Sequence, residues 1–212
     1  GSRIALDNYC RAFGLDASKV IHKDPSISEP ARAKLQQALV KLSEDAANSP
    51  QVKQSQQQFA QSVESLADKK VSVVVAAGEQ LGTDTMASDR GAAKLDIGDN
   101  YHQGIFSVPG AVKVGASFVD EDGVTKPWTK TESVDILADS TLKGQDGTAT
   151  SQWGSQAAAP RVSTALAALH ARHPDKGNSE ILSMLQSGGS EPVAGDKPVA
   201  NMQESKLKTL LA

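Results

Sequence analysis

The run Val71-Ser72-Val73-Val74-Val75-Ala76-Ala77-Gly78 constrains the fold most. It is apolar and β-branched almost throughout, without the alternation of a half-solvated strand. Such a run predicts a strand buried on both faces, as in a parallel sheet covered by helices. The segment before it reads as a helix from about Val52 to Asp68, with Val52, Phe59, Val63 and Leu66 on one stripe. The glutamines within Gln54–Gln58 fit its solvated side. Helix followed by buried strand is half of a βαβ unit.

Further elements follow along the chain. Ser28 reads as an N-cap ahead of Pro30 in a first helical turn, and Leu35, Leu39, Leu42 and Ala46 continue that helix until Asn48-Ser49-Pro50 stops it. Lys19–His22 reads as a brief strand and residues 79–104 as loop. Val112–Ala116 and Val134–Ala138 read as further strands, with a polar, Gly-rich stretch at Gln145–Ser155. A helix starting near Pro160 carries Val162, Leu166 and Leu169 and is Ala-rich on several sides, which predicts burial almost all round. Asn178 reads as the cap of a short helix holding Ile181, Leu182 and Leu185. Residues 187–198 read as loop and Met202–Leu211 as a terminal helix.

Composition excludes several classes of function. The chain has 212 residues, 39% of them hydrophobic, enough for one domain or two small ones. No apolar run approaches the ~20 residues of a membrane span, so no membrane role is expected. Lys and Arg total 22 against 25 Asp and Glu, which argues against nucleic acid as a partner. A single cysteine, Cys10, allows neither an internal disulfide framework nor a thiolate metal cluster. Gly1-Ser2 reads as a tag scar, and the fold is assigned to residues 3–212.

Four segments, in order, resemble the subtilisin-like serine peptidases. Val74-Val75-Ala76-Ala77-Gly78-Glu79 is similar to the family's V-V-A-A-G-N strand and turn. Gly110–Ala116 is similar to G-V-I-S-V-G-A, and Val134–Ala138 to V-D-I-A-A-P-G. Thr148–Ser151 and Gly154–Val162 resemble the A-T-S…G-T-S-M-A-A-P-H-V block that carries the nucleophile. The resemblance covers roughly residues 19–211, the C-terminal part of such a domain. It implies an α/β fold of three αβα layers around a mostly parallel sheet, as in the bacterial, secreted members of the S8 peptidase class, and an exported protein.

Departures from the family pattern carry the functional information. The nucleophilic Ser, four residues before the Pro of the block, corresponds to Gln156. A carboxamide cannot be activated by a neighbouring base to attack a carbonyl. In subtilisin, loss of that Ser costs about a millionfold in turnover. The oxyanion-hole Asn corresponds to Glu79, whose ionised carboxylate accepts hydrogen bonds but donates none. Losing that donor alone costs roughly 10²–10³ in subtilisin. Neither D-[ST]-G nor H-G-T-H occurs, and Asp96-Ile97-Gly98 lies in the wrong order. The triad Asp and His either precede this sequence in a longer chain or have been lost. The resemblance therefore implies a pseudoprotease that binds a protein or peptide partner. The alternative is a hydrolase with displaced catalytic residues, and a third reading is a purely structural domain of a larger assembly.

Other candidates are weaker. Ser155 as a shifted nucleophile would be turned about 100° around the helix from the family position. His170 and His173 lie three apart, but no third ligand is suitably spaced, so no metal and no cofactor is assigned. His22 and His102 stand apart from both. Asp120-Glu121-Asp122-Gly123 resembles part of a calcium loop, yet Glu132 falls one place late, which favours an ordinary turn. Trp128 and Trp153 sit in polar segments, as packed residues or as interface anchors.

Overall fold

In the computed structural model, the described residues are 11, 16, 28, 30, 31, 33, 45, 48–77, 108–128, 131, 134–143, 149–152, 154–195 and 197–212. The chain forms two compact units: Gly1–Val52 with Gln80–His102, and Lys53–Glu79 with Gln103–Ala212. In the first unit Pro30 and Ala31 are helical, and the Ala31 N–H donates to the Ser28 carbonyl at 3.0 Å. Asn48-Ser49-Pro50 opens a helix as well as following one. Ser49 Oγ accepts from the Val52 N–H at 3.3 Å, and Pro50 takes the first helical position, where its missing N–H costs nothing. Helix α1, Pro50–Ala67, therefore starts two residues before the position read from sequence.

The second unit is built on a mostly parallel sheet. Strand β1 is Val73–Ala76 and β2 is Ala111–Val119; β3 is Thr125–Pro127 and β4 is Ile136–Asp139. A separate antiparallel hairpin, β5 (Thr141–Lys143) and β6 (Ala149–Gln152), leads into helix α2, Ser155–Arg172. Helix α3 (Asn178–Gly188), β7 (Ser190–Val193), β8 (Val199–Met202) and helix α4 (Glu204–Leu211) complete it. The strand order is β1-β2-β4-β8-β7, with β3 on β2. The β1–β2, β2–β4 and β4–β8 pairs are parallel, with Val74 opposite Val112 and Val114 opposite Ile136. The three strands read from sequence are thus neighbours in one sheet.

Helices cover both faces. On one, Val112, Val114, Ala116 and Phe118 of β2 and Ile136 and Ala138 of β4 pack against Val162, Leu166 and Leu169 of α2 and Ile181 and Leu185 of α3. On the other, Val63 of α1 packs with Val108 and Ala111, and Val73 and Val75 lean on them. Gly110 has φ +83°, and a Cβ there would sit 3.2 Å from Val63 Cγ1, so this turn into β2 requires glycine.

Several local readings need correction. Val73, Val74 and Val75 are half-buried, not fully buried, because among the described strands β1 pairs only with β2. Helix α2 leaves Ser163, Thr164 and Ala167 exposed; its Ala content reflects close packing on one side. Gly177, not Asn178, is the N-cap of α3, and its N–H donates to the Glu180 carboxylate at 3.0 Å. That bond and Lys176 hold the Glu180 carboxyl below its ordinary range. Residues 187–198, read as loop, contain β7, paired antiparallel with β8. Pro192 is tolerated because β7 ends the strand order, where a missing N–H breaks no ladder. Trp128 is buried edge-to-face on Phe118, with ring centroids 5.4 Å apart.

The Asp120–Gly123 segment is the turn joining β2 to β3. Asp120 Oδ1 accepts from the N–H groups of Asp122 (3.1 Å) and Val124 (2.8 Å). Lys126 Nζ reaches Asp120 Oδ2 at 2.6 Å and holds that carboxyl below its ordinary range. Gly123 supplies the positive φ of +76°.

Candidate functional site

Gln156 stands in the first turn of α2. The chain enters that helix through Gly154, whose φ of 59° and ψ of −150° suit only glycine, and the Gly154 carbonyl accepts from the Ala157 and Ala158 N–H groups at 3.1 and 3.2 Å. Four residues on, Pro160 lacks the N–H that would bond the Gln156 carbonyl. The Gln156 side chain is exposed. Ser155 is 0% exposed, so its hydroxyl is closed to a substrate carbonyl, which removes the shifted nucleophile. The described histidines stand at the other end of the same helix. His170 is fourteen positions from Gln156, or about 21 Å of helix rise, far outside proton-transfer reach. Glu79, Asp96, His22, His102, Glu132, Trp153 and Cys10 lie outside the described residues, as do Lys19–His22.

The structure brings together pairs that sequence separation hid. Ser72 Oγ lies 3.2 Å from His170 Nε2, where β1 begins. Around it, Lys70 Nζ donates to the Pro174 carbonyl, and Asn178 Nδ2 donates to the Val71 carbonyl at 2.9 Å. These contacts tie the start of β1 to the α2–α3 connection. A Ser–His contact is half of a nucleophile–base arrangement. It lies at the amino end of the strands, opposite the end where open α/β sheets bind ligands.

At the carboxyl end, two polar pairs sit close together. Ser117 Oγ donates to Asn201 Oδ1 at 2.7 Å, and both residues are almost wholly buried. Arg161 Nη1 donates to Asp139 Oδ2 at 3.2 Å, and Nη2 donates to the Thr141 carbonyl. The Asp139 Oδ1 also accepts from the Thr141 N–H at 2.9 Å. A faint signal of the first pair exists in sequence: Ser117 stands within the largely apolar run Val114–Val119, and Asn201 is the lone polar residue of Val199–Met202. Among the described residues no cluster of three or more His, Cys, Asp or Glu could hold a metal ion. No described helix is long and apolar enough to cross a membrane. No protein family matches the chain, and no curated protein matches it.

Proposed function

We propose that this protein is a catalytically degenerate relative of the subtilisin-like serine peptidases that binds a protein or peptide without cleaving it. The observation that carries the reading is Gln156: the position similar to the family's nucleophile is solvent-facing at the head of α2 and bears a carboxamide. Supporting it, the segments that resemble the family's motifs form adjacent parallel strands, followed by a hairpin and a helix packed on the same sheet. Binding an extended peptide needs strand edges and side-chain pockets but no nucleophile.

A hydrolase is the second reading, and the Ser72–His170 contact is its specific support. Among the described residues no carboxylate is bonded to His170, so the orienting third member of a triad is missing from that pair.

Hydrolysis of an activated peptide ester separates the two. The pseudoprotease reading expects turnover at the buffer rate, for the unmodified protein and for Gln156→Ser alike, because triad members act as a unit. Turnover above background that vanishes in Ser72→Ala establishes the hydrolase instead.

A further inference from the structure

A cavity of about 650 Å³ opens at the amino ends of β2 and β4, where α3 begins. Its size falls within the roughly 300–1,000 Å³ of ligand pockets. Val108 and Leu182 contribute apolar walls, and Lys113, Asp135, Asn178 and Ser179 form its polar lining. All of these residues belong to the second unit.

The Asn178 carboxamide is bonded on one side only. Its Nδ2 donates to the Val71 carbonyl at 2.9 Å, while its Oδ1 is buried and has no partner among the described residues. A buried acceptor without a donor is costly, and a ligand N–H would recover that cost. Lys113 and Asp135 sit side by side. The Lys113 N–H donates to Asp135 Oδ2, and the Asp135 N–H donates to the Lys113 carbonyl, both at 2.8 Å. Among the described residues neither side chain enters an ion pair. The cavity thus presents one ammonium and one carboxylate, each without a counter-ion. A plain carboxylate would be drawn to Lys113 and repelled by Asp135, and a plain amine would meet the reverse. A molecule whose ammonium lies one carbon from a carboxylate meets an opposite charge at both.

We infer that this cavity binds a free α-amino acid with an apolar side chain. The ammonium pairs with Asp135 and donates to Asn178 Oδ1, the carboxylate pairs with Lys113, and the side chain packs on Val108 and Leu182. The adjacency of Lys113 and Asp135 suits the short separation of the two charges in such a molecule. This site is independent of the peptide-binding reading.

The test is calorimetric titration with L-leucine, joined to NMR of the Asn178 side-chain amide. Two further probes each lack one charge of leucine: isocaproate has no ammonium, and isoamylamine has no carboxylate. Leucine should shift the Asn178 amide signals and bind at least about tenfold more tightly than either probe. Lys113→Met should weaken leucine at least about tenfold and leave isoamylamine no weaker. Asp135→Asn should weaken leucine as much and leave isocaproate no weaker. Ser179→Trp, which fills the cavity from an exposed position, should abolish leucine binding without touching either charge. Gln57→Arg, on the exposed side of α1, should bind like the unmodified protein. Either single-charge probe binding as tightly as leucine overturns the zwitterionic ligand. Leucine binding with no shift at Asn178 and no loss in Ser179→Trp overturns the cavity. Absence of leucine binding at millimolar concentration overturns the proposal and leaves the peptide-binding reading standing.

Discussion

Strands β1 and β2 are both rich in valine and alanine, yet they occupy different depths. Along β2, residues 111, 112 and 114–118 are buried; along β1, Val73 to Val75 are half-buried and Ala76 is exposed. The difference comes from neighbours. Strand β2 is paired on both sides and pressed by α2, while β1 pairs, among the described strands, with β2 alone. A β-branched apolar run therefore specifies a strand, but the elements around it set how much stabilisation the strand returns.

Truncations on the two sides of this contrast should differ most. Leu166, 1% exposed where α2 meets β2, should cost about 2–5 kcal/mol as Leu166→Ala. Chemical denaturation measures it, and a loss under about 0.5 kcal/mol, the range of neutral surface changes, would put α2 outside the core. Gly110→Ala forces a side chain into the left-handed region and against Val63, and should cost about 1–2 kcal/mol. Val74→Ala, on half-buried β1, should cost only about 1 kcal/mol. A Val74→Ala loss equal to that of Leu166→Ala would erase the contrast.

The smallest effect belongs to the exposed turn between β2 and β3. The Asp120 carboxyl is lowered in the folded state, chiefly by its hydrogen bond from Lys126, so its contribution is present above the ordinary Asp range, near about 3.9, and fades as pH falls through the folded value. The Lys126 ammonium is raised by the same bond, so its contribution is full below about pH 10.4 and is lost at higher pH. Asp120→Asn should remove a small part of the melting-temperature difference between neutral and acid solution. An unchanged difference would show that the pair adds nothing to stability.

How much of this was legible in sequence varied with the range of the interaction. Strands β1, β2 and β4 and helices α1 and α2 could be read because their signals are local: β-branched runs, and apolar residues three and four apart. Strand β7 could not, because Ser190, Glu191 and Pro192 carry no strand preference and their pairing partner in β8 determines the conformation. Burial of Trp128 depends on Phe118 across the hairpin. Gln156 was found from the residues around it, whereas Ser117–Asn201, Ser72–His170 and Asp139–Arg161 join positions 84, 98 and 22 apart. No periodicity reports such pairings; only the fold brings them together.

In the proposed reading, the position that matches the family's nucleophile, Gln156, carries no attacking group and none of the described serines replaces it. Labelling with a fluorophosphonate probe, followed by mapping of any modified peptide, tests it most directly. No labelling above a heat-unfolded control is expected, because Gln156 has no reactive oxygen, Ser155 is sealed from solvent and, among the described residues, no carboxylate orients His170 beside Ser72. Stoichiometric labelling of the folded protein would contradict the pseudoprotease reading, and the labelled residue would identify the nucleophile.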